Sequence, residues 1–401
     1  MVLCAQLGAV EVYKNGDKSV SVVGEINVGI GYGNTLDYPI TISNGKSNYS
    51  ISDAYSKTKN SFMFGIQRDS RVGISFNMSG LFGEATLGNS RIGANSSSYA
   101  VIPYFRQLYA GYNFGKGGRI LAGQTELNTS MGGFISDIAN EEDGLWGYGA
   151  PRNSVRRFQV RYEIAGFSIG VSMNDVEQYS TSSTTSEAIQ KRSIPKFSLA
   201  YEYSSDRLRA KIAGSYVCAG HCNNSSNNAT QSMHIAYLTA GIKPYFGKSY
   251  LSFVFSYGLN SQHTGDSLVS SEASINKNLT KYGNLSYLFR IDNGFIYDKN
   301  IYATAFEFGH NFTDKIALKI GLCYQIATSY DRNRIIRKYD ILHSFGGFLQ
   351  VPCKINDYFT IIPQTGSHFI LREDIKNSNA NEYKFDLNTN AMALLLMKFT
   401  F

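Results

Sequence analysis

Long hydrophobic runs are missing from this chain. A membrane-spanning helix needs roughly 18 to 20 consecutive apolar residues, and the longest obvious run, 391–397, is far shorter. A crossing by helix is therefore excluded. A membrane protein of this sequence has to cross as a closed barrel, the other arrangement that satisfies every backbone polar group in lipid. Proline is scarce, at 7 of 401 residues, and no proline-rich linker or break in composition divides the chain. One large domain is the favoured organisation. Charged residues make up only 17%, beside 28 tyrosines and 25 phenylalanines. Few charges among many aromatics suit a partly greasy surface.

Reactive groups are equally sparse. The six histidines, His221, His234, His263, His310, His343 and His368, show no metal-ligand spacing on a helix, and neither G-x-S-x-G nor a phosphate loop occurs. Neither an enzyme nor a cofactor is expected. The net charge of +7 comes without a lysine-rich tract or a basic helical stripe, which argues against nucleic acid as a partner. Cys218 and Cys222 flank Gly220-His221 in what reads as a polar loop. A loop disulfide and free thiols are both compatible with that spacing, as is a weak metal site with His221.

What the chain does have is alternation. Val20, Val22, Gly24, Ile26, Val28 and Ile30 alternate with Ser21, Glu25, Asn27 and Gly29, the period of a half-apolar strand. The pattern recurs along the whole chain. Short turns are expected near 77–80, 115–118, 165–166, 204–207, 247–249, 311–314 and 354–357. Long polar loops are expected near 33–60, 89–102, 128–153, 175–193, 218–231, 260–299, 327–339 and 371–388. These connections join about sixteen strands with both ends of the chain on the short-turn side, the asymmetry of an outer-membrane barrel. Tyr282, Leu285, Tyr287, Phe289 and Ile291 are compatible with one more hairpin, so eighteen strands is the alternative.

The period of two assigns faces. Leu208, Ala210, Ile212, Gly214 and Tyr216 point to lipid and leave Arg207, Arg209 and Lys211 inside. Ile316, Leu318, Ile320 and Leu322 likewise leave Lys315 and Lys319 inside. A mid-membrane charge on the lipid face costs about 2 to 4 kcal/mol, so a lumen is where these belong. The final strand places Leu395, Met397, Phe399 and Phe401 on one face. In a barrel it pairs with the first strand and leaves no open edge.

One stretch, 127–161, breaks the pattern. Its first half holds Gly132-Gly133, then Asp137, Glu141, Glu142 and Asp143, then Gly144, Trp146, Gly147 and Gly149, with neither helical nor strand periodicity. Its second half is a strand in which Phe158, Val160 and Tyr162 alternate with Arg157, Gln159 and Arg161. So long an irregular segment inside a compact domain is usually functional. Folded inward, its acids face the arginines across a water-filled gap and set up a transverse field.

The sequence resembles the general porins of Gram-negative bacteria. The segment A-V-E-V-Y-K-N-G-D-K at 9–18, leading into Gly24-Glu25, resembles their mature amino terminus, and S-R-V-G-I-S-F at 70–76 resembles their second strand. Arg106-Gln107, Gly111, Gly115 and Ala122-Gly123-Gln124 resemble the strands ahead of their constriction loop, and Phe401 matches their terminal aromatic. The resemblance implies an all-β transmembrane barrel of sixteen strands, a homotrimer in outer-membrane lipid and lipopolysaccharide. Its third extracellular loop, 128–153, is folded into the pore. Passive diffusion of ions and small hydrophilic solutes is the implied function. Arg71, Arg106 and Arg157 match the wall arginines of the family, while Asp137, Glu141, Glu142 and Asp143 match its loop acids. Two departures stand out. Many relatives have Gly-Arg-Gln where this chain has Ala122-Gly123-Gln124. Arg106 shares parity with Leu108, Ala110 and Tyr112, and turns inward only if a bulge intervenes.

Two other functions use the same barrel. In a substrate-specific channel, Tyr104, Phe105, Tyr109 and Trp146 would form an aromatic track; the plainer reading assigns them to the interfacial girdle and loop packing. A surface adhesin or antigen would use the long loops for display and need no inward acids. The inward candidates Arg71, Arg157, Arg161, Arg209, Lys211, Lys315 and Lys319 outnumber the loop acids, which favours anions weakly. Residues 1–9, M-V-L-C-A-Q-L-G-A, resemble the end of a secretory signal peptide whose basic start and most of its apolar core are missing. That leaves 10–401 as a single barrel domain. A lipid attachment at Cys4 is not supported, since the small residues expected before it are absent.

Overall fold

The computed structural model describes residues 9–43, 59–66, 70–91, 101–136, 149–150, 156–173, 189–191, 194–223, 230–260, 290–292, 295–331, 340–375 and 382–401. The chain opens with β1 (Ala9–Asn15), β2 (Lys18–Ser43), β3 (Lys59–Ile66), β4 (Arg71–Met78), β5 (Leu81–Arg91), β6 (Val101–Asn113) and β7 (Arg119–Glu126). Next come β8 (Arg156–Ile164), β9 (Phe167–Ser172), β10 (Ile189–Lys191), β11 (Lys196–Ser204), β12 (Leu208–Asn223), β13 (Thr230–Phe246) and β14 (Ser249–Leu259). It ends with β15 (Arg290–Asp292), β16 (Phe295–Asn311), β17 (Ala317–Asp331), β18 (Asp340–Gln350), β19 (Cys353–Lys354), β20 (Phe359–Ile375) and β21 (Glu382–Thr400).

All strand pairings among the described residues are antiparallel, and they close into a barrel of sixteen lanes. Five short pieces extend a lane that another strand already fills. β3 and β4 both pair with β2, β10 continues β11 along β12, β15 caps the lane of β14 along β16, and β19 continues β18 along β20. β1 pairs with the start of β2, just below the point where β21 takes over. Closure is direct: β21 pairs with β2 from Glu25↔Thr400 to Ser43↔Glu382, and the backbones of Gly24 and Phe401 exchange hydrogen bonds of 2.6 and 3.0 Å. The barrel therefore has no open edge. The eighteen-strand alternative is not what forms. Ile291 lies in the short β15, while Tyr282, Leu285, Tyr287 and Phe289 lie outside the described residues.

Each of the seven expected turns is present, from Ser79-Gly80 to the connection between β19 and β20. The strands run further than the polar segments predict. β2 runs to Ser43, β12 to Asn223, and β21 starts at Glu382, inside segments read as loops. The ladder of backbone bonds needs only a neighbouring strand, and the period of two in Leu36, Tyr38, Ile40 and Ile42, and in Tyr383, Phe385 and Leu387, runs into these polar segments. Cys218 and Cys222 consequently sit on a strand rather than in a loop, and Cys218 is a free thiol.

Facing follows the alternation. Leu199, Ile212, Tyr216, Ile320 and Leu322 are exposed on the outside, Leu322 to 60%. Thr239, Ser252, Ser256, Gln325 and Ser344 are buried on the inside. Arg207 and Lys315 depart from expectation: both fall in exposed short turns, beyond the last lumen-facing position of their strands. In the closing strand Leu395 and Phe399 face out, and Leu394 and Leu396 are buried within.

Candidate pore constriction

The third long connection leaves β7 at Leu127 and turns into the barrel. Asn128 Nδ2 donates to Ser168 Oγ of β9 at 2.9 Å, and Lys211 Nζ of β12 donates to Ser130 O at 2.7 Å. A tight turn follows, with Phe134 N–H donating to Met131 O at 3.1 Å and Gly133 at φ +79°, a conformation that favours glycine. Lys243 Nζ of β13 donates to Gly133 O at 2.8 Å, and the Arg209 guanidinium lies 4.7 Å from the centre of the Phe134 ring.

Met131 and Phe134 are fully buried on the inner wall. Gly241 makes room for them: a Cβ there would meet Phe134 Cδ1 at 2.9 Å. Together with Ile135 and Ala150 they join Tyr237, Val254, Ile301, Ala303, Ala305, Cys323, Ala327, Phe348 and Met392 in one apolar cluster. A side chain of this size contributes about 1.5 to 3 kcal/mol when fully buried. Beyond the cluster the loop is pinned by polar groups. Ser136 N–H and Oγ–H donate to Glu307 Oε2 and Oε1 of β16 at 2.5 and 3.0 Å, Tyr250 O–H donates to Glu307 Oε1 at 2.5 Å, and Lys319 Nζ donates to Ser136 Oγ at 3.0 Å. Gly149 then lies on the main chain of β17, where a Cβ would meet the Tyr324 carbonyl at 2.6 Å.

The loop thus lines the inner wall from β9 round to β17. The arginines sit on the other side, on β4, β6 and β8. Arg71 stands in register between Glu25 and Gly88. Arg157 and Arg161 point inward beside the buried Gln159. Arg161 Nε pairs with Glu163 at 2.6 Å and its Nη1 donates to Glu126 O at 2.8 Å. Arg156 pairs with Glu126 at 3.6 Å.

Arg106 is inward as well, only 1% exposed, because β6 carries a bulge. Thr86 pairs with Gln107 and the next residue, Leu87, pairs with Phe105, so Arg106 is the extra residue. Phe105 and Leu108 remain outside, each 48% exposed, while Arg106 and Gln107 both turn in. Tyr104 and Tyr109 are half-buried on the inner face, opposite in register to Gly88 and Glu84.

Arg209 and Lys211 differ from the other wall cations. Both pair with Glu202, at 2.8 and 3.6 Å, and both touch the loop. Asp137, Glu141, Glu142, Asp143 and Trp146 lie outside the described residues. Three residues that the sequence reasoning missed hold the loop: Lys243, Tyr250 and Glu307. Glu307 had a legible signal, a lone acid between the outward Phe306 and Phe308, but nothing local names its partner.

A closed antiparallel barrel with an inward loop is the fold of outer-membrane porins. No protein-family model and no curated protein matches the chain. Among solved structures it is similar to the outer membrane channel DcaP of Acinetobacter baumannii, with a TM-score of 0.59 and 15% identity over 98% of this chain and 100% of that one. It is also similar to an anion-selective porin from Comamonas acidovorans, with a TM-score of 0.50 and 12% identity over 96% of this chain and 100% of that one. At these identities the likeness is one of fold.

Proposed function

We propose that this protein is an outer-membrane pore, and not an enzyme, through which ions and small hydrophilic solutes diffuse passively. The observation that carries the reading is the pair of hydrogen bonds that Ser136 donates to Glu307, which holds the third loop inside the barrel. A loop pinned there narrows the lumen, whereas a display protein gains nothing from it. In this reading Arg71, Arg106, Arg157 and Arg161 form the basic wall, and Asp137, Glu141, Glu142 and Asp143 of 128–153 face them. Arg209 and Lys211 serve mainly to hold the loop. Arginines exceed carboxylates on β4 to β8, which favours anions over cations of equal size. The assembly is a homotrimer in the outer membrane, in contact with lipopolysaccharide at its outer rim.

The inward Tyr104 and Tyr109 beside the arginines favour a second reading, a channel that selects an organic solute with a planar face. Swelling of proteoliposomes in isotonic solutes separates the two. A general pore admits sugars at rates that fall smoothly with size and passes small organic anions faster than matching cations. A rate set by the identity of one solute supports the selective channel, and no swelling supports an adhesin or antigen.

A further inference from the structure

We propose that Gly88 and Thr86 are positioning residues for Arg106, and that they set the ionic selectivity of the pore by turning that arginine from the lipid side into the lumen. This rests on the pore reading above. By simple alternation with Leu108, Ala110 and Tyr112, Arg106 would face lipid, where a charge costs about 2 to 4 kcal/mol at mid-membrane. The bulge avoids that, but it leaves backbone groups without ladder partners. Two side chains take them up. Thr86 Oγ1, fully buried, accepts the Gln107 N–H at 3.2 Å, and Gln124 Nε2 donates to Phe105 O at 2.5 Å.

Gly88 then supplies the space. It stands in register between Arg71 and Tyr104, and the stem of Arg106 lies flat across it. A Cβ at Gly88 would meet Arg106 Cγ at 2.5 Å and Cδ closer still, with Ser70 O at 3.3 Å. The glycine is needed for room rather than for its backbone angles, because its φ lies outside the positive range. Any side chain at 88 must lift Arg106 off the wall, and the guanidinium moves with it. Arg71, one register step away, then loses the neighbour with which it shares this part of the lumen.

The test is the zero-current potential across a bilayer under a steep KCl gradient, measured on the folded full chain. The variants are Arg106→Ala, Gly88→Ala, Thr86→Val and the double variant Gly88→Ala/Arg106→Ala. Arg106→Ala is expected to shift the potential toward cation selectivity. Gly88→Ala and Thr86→Val shift it in the same direction, and Gly88→Ala adds nothing in the Arg106→Ala background. If Arg106→Ala shifts the potential and the other two single variants do not, the positioning role is overturned while the pore reading stands. If Arg106→Ala itself leaves the potential unchanged, the assignment of Arg106 to the selective wall falls, and the proposal with it. Should Gly88→Ala fail to fold, a double variant that does fold supports the clash with Arg106, and one that does not overturns it.

Discussion

Ser136 and Glu307, 171 residues apart in the chain, are joined by two hydrogen bonds of 2.5 and 3.0 Å inside the barrel. Glu307 is fully buried, and Lys319 approaches from the neighbouring strand to bond the same serine. Hydrogen bonds to a charged group contribute about 1.5 to 3 kcal/mol each, and the loss of one partner from a buried charged network costs more than its share. Glu307→Ala is expected to lower stability by roughly 3 kcal/mol and to release the loop. Denaturant unfolding of the refolded protein and open-channel noise check it. A quiet channel of unchanged stability would contradict the assignment.

Phe134 makes the apolar half of the same anchor, under the Arg209 guanidinium and above Gly241. Phe134→Ala is expected to cost about 3 to 5 kcal/mol, and Gly241→Val to produce the same noisy channel by pushing Met131 and Phe134 away. Because both act on one docked loop, combining either with Glu307→Ala should be markedly less than additive. Full additivity in unfolding free energy would mean that the two anchors hold different things.

The barrel was readable because lipid imposes a period of two that turns cannot disguise. Parity alone assigns Ile212, Tyr216 and Leu322 to the outer face, and all three are exposed there. Parity misplaces Arg106, because a bulge inserts one residue and reverses every assignment beyond it, and the group that accepts the Gln107 N–H there, Thr86 Oγ1, sits on the adjacent strand. Strands run on to Ser43 and Asn223 and begin at Glu382, inside segments whose polar residues read as loops, although Leu36, Tyr38, Ile40 and Ile42, and Tyr383, Phe385 and Leu387, keep a period of two there. The inward course of the third loop was expected from its composition. Its anchors Lys243, Tyr250 and Glu307 are long-range partners, and no local pattern joins them to Ser136 or Gly133.

The wall cations should separate into two kinds. Arg71→Ala and Arg157→Ala are expected to move the zero-current potential toward cations with little loss of stability. Arg209→Ala and Lys211→Ala, which remove groups committed to Glu202 and the loop, should move it less and destabilise the protein more. Equal shifts in all four would show that Arg209 and Lys211 face the permeating ions directly.

The sidedness of β17 gives a test that does not depend on the pore. Leu322→Arg places a charge on the lipid face and is expected to cost about 2 to 4 kcal/mol in bilayer-folded stability. Leu322→Met should cost less than about 1.5 kcal/mol. A charge tolerated at Leu322 without loss would contradict the lipid-facing assignment.

Single-channel conductance of the refolded protein in a planar bilayer tests the central claim most directly. A pinned loop in an open, water-filled barrel predicts discrete steps whose size rises nearly in proportion to salt concentration, arriving in threes if the unit is a trimer. Stable insertion with no conductance at any salt concentration would contradict the account, since the third loop would then seal the barrel rather than narrow it.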